Sequence, residues 1–333
     1  MNKSERNEAF KFAVSVYAQE FRFHWVAFSL FLVMLAANAA LTLVAPYLFS
    51  TLIDDLPADL LPWLIGFGLY AAATTAAQVL HYTIYGMSLI HAERLELFAS
   101  TTFFASVARK TPSFFVTYNP AEIQSALDEG KRAISASFYT IFAYLLPSLL
   151  RVIFSVVLIA TAIDVWLVLI VGIYGIIYIA IVLVAMEKTN RVLNDAIEAG
   201  QENAAFVGNA ISMIEPIRHA GSTQWMEKKF EDKANRIYEN LRAFANRQMF
   251  FGSVTALALF VQLLLAYLIL YPRYQAGLQS VGDIVLFNMV LLQLNSPFED
   301  IGHAIAEFQR SFDKFSPILK IMREPVDAYR DAH

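Results

Sequence analysis

The residues whose types and spacing suggest chemistry lie within and just after one apolar stretch, VGDIVLFNMVLLQLNSPFEDIGHAIAEFQ, at positions 281–309. Its first half is apolar enough to cross a bilayer, yet Asn288, Gln293 and Asn295 sit inside it, and Glu299, Asp300 and His303 follow within about three turns. Facing lipid, these groups would have no water to bond, so the helix is expected to turn them toward a wet cavity or another helix. For Asn288, Gln293 and Asn295 the chemistry is solvation of a passing substrate, set against plain interhelical hydrogen bonding at ~0.6 kcal/mol per bond. Glu299 and Asp300 suit gating, a solvated vestibule or a proton site. No second His stands at ligand spacing from His303, so no metal site is assigned.

Two more polar sets interrupt apolar runs. Arg151 lies mid-span and reads either as a contact for an anionic substrate or as an interhelical partner for a carboxylate or backbone carbonyls. Gln78, His81, Tyr82 and Tyr85 form a patch at helical spacing, read first as packing and second as ligand contact. Nothing here performs catalysis. There is no G-x-x-x-x-G-K-[ST] loop to cradle phosphates, and Gly130-Lys131 lacks both the upstream Gly and the following Ser or Thr. The absence of cysteine excludes disulfides, thiolate metal sites and cysteine nucleophiles.

The elements that must position these residues follow from composition. Of 333 residues 57% are apolar and only 16% charged, against about a quarter charged in soluble domains, so long segments never meet water. The net charge of −4 and the lack of a basic patch give nucleic-acid binding no support. The aromatic abundance, with 27 Phe and 15 Tyr, reads as lipid-facing surface and interface belt. Six spans emerge: 25–53, 60 to about 90, 138–163, 165–186, 250–271, and a sixth starting near Val281. The charged N-terminus has no small-residue cleavage site and does not resemble a signal peptide. Of the 25 Lys and Arg residues, 23 fall before the first span, in 93–133, in 187–248 or after Glu307; only Arg273 falls in an opposite loop. The positive-inside rule therefore places both termini and both long excursions in the cytoplasm.

Neither excursion reads as a loop. HAERLELFASTTFFASVARK, 91–110, keeps a helical spacing, so the second span is expected to continue past the membrane until Thr111-Pro112 breaks it. A new helix starts at Asn119-Pro120, with Asn as N-cap, Pro in the first turn and Glu122 close behind, and climbs into the third span. Residues 187–212 and 223–247 repeat this plan, with Pro216 and Gly221 marking the reversal. About 20 helical residues beyond the bilayer put each tip roughly 30 Å from it.

This all-α, polytopic plan resembles the transmembrane domain of ABC exporters of the type IV fold. Local motifs carry the resemblance: VAPYLFSTLID at 44–54, TPSFFVTYNPAEI at 111–123, SMIEPIRHAGSTQWMEKKFE at 212–231 and GLQSVGDIVLFN at 277–288. Within that fold the chain is similar to the heavy-metal-tolerance and mitochondrial half-transporters, whose sixth span carries Asn, Gln-Leu, Pro and Gly at the spacing of Asn288, Gln293-Leu294, Pro297 and Gly302. DEGKRAI at 128–134 is similar to that group's acidic, Gly, basic segment. Glu129 replaces its usual basic residue, and Ile305-Ala306-Glu307 replaces its Tyr-Arg-Glu, so fewer cations face the cavity and a neutral or cationic peptide rivals a di-anionic thiol peptide as cargo.

The resemblance implies a six-helix domain over 25–322 between a cytoplasmic segment 1–24 and the start of a linker, 323–333. It implies a domain-swapped homodimer and a nucleotide-binding domain, in cis or in trans, that binds ATP and Mg outside this chain. Substrate contacts would include Arg132, Gln78 and Tyr82 besides Arg151, Asn288, Gln293 and Asn295. Coupling would fall on the tips, through Phe114, Phe115 and Tyr118 and through Glu215, His219 and Gly221. The activity implied is ATP-driven export of a small peptide or glutathione-type conjugate, in a bacterial inner membrane. A proton-coupled peptide transporter of the same fold and a non-transporting scaffold or immunity protein remain the other function classes.

Overall fold

The computed structural model describes Tyr17, Arg22 and residues 25–56, 59–314 and 316–325. The expected N-terminal segment, apart from Tyr17 and Arg22, and the linker beyond residue 325 lie outside the described residues. Among these the chain is helical and has no strand. α1 is Trp25–Asp54, α2 Leu60–Ala108, α3 Pro112–Thr117 and α4 Pro120–Tyr139. A π-helical turn, Thr140–Leu145, joins α4 to α5, Leu146–Ala162. Then come α6 Val165–Ser212, α7 Ile214–His219, α8 Thr223–Gln275, α9 Val281–Lys314 and α10 Ser316–Arg323. Among the described residues six helices are long and apolar enough to cross a membrane, those expected from the apolar runs.

The second span does continue past its apolar part, to Ala108, and Thr111 stands as the N-cap residue of the short tip helix α3. At the start of α4, Asn119 Oδ1 accepts from the Ala121 amide at 2.9 Å, satisfying one of the N–H groups a helix start leaves over, and Pro120 occupies the first turn. At the second tip Gly221 has φ 67°, a left-handed conformation in which a side chain would be strained.

The chain divides into two compact units. One runs to Gly172 and resumes at Ala266; the other is Ile173–Leu265. In the first, α1 packs along α2 and α9 lies against α1 and α5. Phe31, Leu35 and Ile84, all but inaccessible, tie α1 to α2. Toward the α3 tip, α2 and α4 share a core of Leu95, Phe103, Ile134 and Phe138. The amphipathic helix α10 inserts Ile318 into that core and Ile321 beside Phe114 and Ile123. Gly130 makes the close approach feasible, since a Cβ there would lie 2.9 Å from Ile318 Cγ2. Lys110 Nζ donates to the carbonyls of Met322, at 3.0 Å, and Glu324, capping α10 with a positive charge at its negative end. Burial holds the Lys110 pKa below its ordinary value, an effect that the Glu324 carboxylate partly offsets. Tyr118 donates to Glu324 Oε1 at 3.0 Å.

At the other end of this unit two carboxylates fasten turns. Asp54, last residue of α1, accepts from Gly282 N at 2.7 Å and Ser280 Oγ at 2.5 Å, so it caps the start of α9. Asp164 accepts from the Trp166 amide at 2.7 Å and forms an ion pair with Arg273. Within the second unit α6 and α8 run antiparallel: Arg247 Nη1 donates to the Lys188 carbonyl at 2.6 Å, and Arg236 pairs with Glu202 at 3.0 Å.

Candidate functional site

Four helices of the first unit bring polar side chains to one place. Helical spacing selects which: Gln78, His81 and Tyr85 on α2, Ser148 and Arg151 on α5, and Met289, Gln293, Ser296 and Asp300 on α9 each recur three or four residues apart and share a face. α1 contributes Asn38, only 3% exposed. The π-helical turn, a device often found at functional sites, contributes Ala143 and Tyr144.

These residues enclose two cavities. One, of about 340 Å³, is walled by Asn38, Thr42, Tyr70, Gln78, Met289 and Gln293, among others. The second, of about 230 Å³, is walled by Tyr85, Tyr144, Ser148, Ser296 and Asp300. Asn38, His81 and Arg151 line both and so form the polar partition where they meet. Arg151 Nη2 donates to Asn38 Oδ1 at 3.2 Å, and Asn38 Nδ2 donates onward to the Ala77 carbonyl at 2.7 Å. Arg151 Nη2 also lies 3.3 Å from His81 Nδ1. A guanidinium has no acceptor, so Nδ1 must accept and the neutral ring carries its proton on Nε2. Arg151 Nε, fully enclosed, has no hydrogen-bond partner among the described residues. In the wall of the second cavity Ser148 Oγ donates to Asp300 Oδ2 at 2.9 Å.

The sites expected from the sequence divide accordingly. Arg151, Gln293, Gln78, His81, Tyr85 and Asp300 line the cavities. Asn288 lies outside both walls and accepts from Tyr267 OH at 3.2 Å, an interhelical bond. Asn295 is half-buried and lines neither cavity. Tyr82 is 66% exposed and Arg132, also exposed, sits roughly 28 Å back along the same helical run from Arg151, so neither reaches this place. Glu299 and His303 pair with each other at 3.5 Å on an exposed turn. Among the described residues no group of three or more His, Asp or Glu could hold a metal ion. Sequence reasoning missed Asn38, along with the hydroxyl groups of Tyr144, Ser148 and Ser296; for Asn38 the signal was one amide inside the first span, hidden by the alanines around it.

At the tips, the structure turns Phe114 inward, 3% exposed, and leaves Phe115 and Val116 outward at 50% and 89%. Tyr118 is held by Glu324. Around α7, which buries none of its residues, Glu215, His219 and Gly221 are exposed. Met213, Pro216, Ile217 and Trp225 line an apolar hollow of about 530 Å³ there.

Among the described residues, six spanning helices, four of them joined in two pairs through long extensions by a short tip helix each, with a polar chamber among α1, α2, α5 and α9, define a polytopic transporter-like membrane domain. Residues 28–298 match the family described as ABC transporter transmembrane region, and the chain belongs to that family. It is also similar to a solved structure described as a bacterial Atm1-family ABC exporter with ATP bound, at 16% identity and a TM-score of 0.64 over 92% of this chain. The two share the exporter transmembrane fold, and this chain spans 55% of that exporter's length. No match is found among curated protein sequences.

Proposed function

We propose that this chain is the membrane half of an ATP-driven exporter whose cargo is a small peptide or glutathione-type conjugate. It works as a homodimer, with a nucleotide-binding domain in cis or in trans binding ATP and Mg outside residues 1–333, in a bacterial inner membrane with both termini cytoplasmic. The observation that carries this reading is the cavity of about 340 Å³ between Asn38, Gln78, Arg151 and Gln293, a size usual for small-molecule sites and polar where a spanning bundle would otherwise be dry. The two tips support it. Phe115 and Val116 on α3, and the hollow beside α7, present apolar surface in the places where a nucleotide domain would press on the levers.

In this mechanism the chain's own residues bind cargo and transmit movement. Arg151, whose Nε has no hydrogen-bond partner among the described residues, supplies the positive wall. Gln293 and Gln78 bond polar cargo groups, and the tip helices pass the closure of the nucleotide domains to the spans.

A proton-coupled peptide transporter is the second reading, and Asp300 is what favours it: a carboxylate on a spanning helix that, among the described residues, has no cation within 4.0 Å. Reconstitution into proteoliposomes together with the nucleotide-binding domain decides between them. Vanadate-sensitive, ATP-dependent accumulation of cargo is the expected result. Accumulation driven by a pH gradient without ATP would replace the first reading with the second, and no accumulation under either drive would leave the scaffold class.

A further inference from the structure

We propose that the cavity of about 230 Å³ is a subsite for a primary ammonium group of the cargo, with Asp300 as its counter-ion and Tyr85 and Tyr144 as its walls. The inference rests on the reading of this chamber as the cargo site and narrows it to cargo carrying a positive as well as a negative end.

Arg151 and Asp300 line the same small cavity, yet no ion pair joins them within 4.0 Å. Opposite charges enclosed by spanning helices gain most by pairing, since each is costly alone in such a place. Here the fold holds them apart. The guanidinium is bonded to Asn38 and His81 at the partition, and the carboxylate to Ser148, one turn before Arg151 on α5. Oδ2 of Asp300 takes the Ser148 bond, and Oδ1 takes no bond from a described residue. A ligand that places an ammonium on Asp300 and a carboxylate toward Arg151 completes both.

The walls suit the cation. Tyr139 holds the two tyrosine rings, with its centroid 5.8 Å from that of Tyr85 and 5.5 Å from that of Tyr144, both edge to face. Tyr85 and Tyr144 line the cavity, so aromatic side chains and a carboxylate come together, the setting in which cations bind aromatic groups. Ser296 adds a hydroxyl. The titratable groups that line this space among the described residues are Asp300, Arg151, His81, Tyr85 and Tyr144; His81 accepts from Arg151 and is neutral, so Asp300 is the one anion of that lining. Cargo with negative charge at every end would be repelled by it. At ~30 Å³ per water molecule the space takes an alkylammonium group with several waters.

The test uses the full transporter, with its nucleotide domain, in nanodiscs and follows binding by calorimetry at neutral pH. The probes are trialanine, N-acetyl-trialanine and trialanine amide. In the unaltered protein, N-acetylation should weaken binding about 10-fold or more, the worth of one charge-assisted hydrogen bond. Asp300→Asn should weaken trialanine by the same factor and leave N-acetyl-trialanine unchanged, which also shows that the variant is folded. Arg151→Gln should remove the advantage of trialanine over its amide.

Equal binding of trialanine and its N-acetyl form, an equal loss of both on Asp300→Asn, or no binding of any probe would overturn the subsite. ATP-driven transport that persists in those cases leaves the exporter reading intact. An amine preference at Asp300 without ATP-driven transport overturns the exporter reading and leaves the subsite. Loss of pH-gradient-driven uptake on Asp300→Asn, with no effect of N-acetylation, would assign Asp300 to a proton instead.

Discussion

Asp54 should act as a latch between the ends of α1 and α9, and its strength can be worked from the contacts. Its two oxygens accept from Gly282 N at 2.7 Å and Ser280 Oγ at 2.5 Å. A charged acceptor contributes about 1.5–3 kcal/mol per bond when enclosed, but Asp54 is exposed, so the helix-capping range of about 0.5–2 kcal/mol applies. Taking ~2 kcal/mol for the pair, Asp54→Ala should raise the fraction of time the ends stand apart by roughly 30-fold. The readout is built into the chain. It has no cysteine, and Ser50, one turn before Asp54, is 3% exposed, so a thiol introduced as Ser50→Cys reacts with maleimide only when the latch opens. In detergent-solubilised protein the labelling rate should rise by about that factor with Asp54→Ala, and by less with Asp54→Asn, which keeps one acceptor for the Gly282 amide. Gly282→Ala is an independent route to the same opening, because a Cβ there would overlap the Asp54 carboxylate and the Ser50 carbonyl. Equal labelling rates in all four proteins would refute the latch.

Other consequences can be checked separately. Gly130→Ala should drive Ile318 out of its core and cost about 1–3 kcal/mol, read as faster amide exchange over 316–323, and Ile318→Ala should restore protection in the double variant. Lys110→Met removes the cap on the Met322 and Glu324 carbonyls and should speed exchange in the same helix by about 10-fold without altering α1. Tyr17, bonded to Ser137 Oγ at 2.6 Å, has its hydroxyl pushed up by burial, against a smaller lowering from that bond, from 10.0 to about 12. A pKa raised on folding gives stability that is complete below pH 10 and lost as pH climbs to 12, so the advantage of the unaltered protein over Tyr17→Phe should shrink by roughly 3 kcal/mol across that interval in chemical denaturation. Gln293→Ala should weaken cargo binding several-fold, whereas Asn288→Ala should leave it intact and cost about 0.6 kcal/mol of stability from the lost Tyr267 bond.

What the sequence made legible was whatever depends on neighbours along the chain. The six apolar runs, the Asn119-Pro120 start, the break at Thr111 and the left-handed Gly221 are local, and each appears where periodicity and turn chemistry place it. The site was only half legible, and Asn288, Gln293 and Asn295 show why. Treated together as three amides on one helix, they are not equivalent: a seven-residue step puts Asn288 and Asn295 on one face, while Gln293 lies about 140° round from Asn288. That much was in the spacing. Which face meets the cavity was not, because it depends on Tyr267 from α8 and on Arg151 from α5. Asn38 was invisible for the same reason, its role arising from an α5 partner 113 positions away. The latch joins residues 226 and 228 positions apart. The separation of Arg151 from Asp300 belongs to this second kind of information. Sequence shows a cation and a carboxylate in apolar helices, for which pairing is the cheapest arrangement; the Ser148 and Asn38 bonds instead give each its own partner, and no ion pair joins them within 4.0 Å among the described residues. A bundle that only had to be stable would close that gap. One that must take up a small, doubly charged molecule and release it has reason to leave it open.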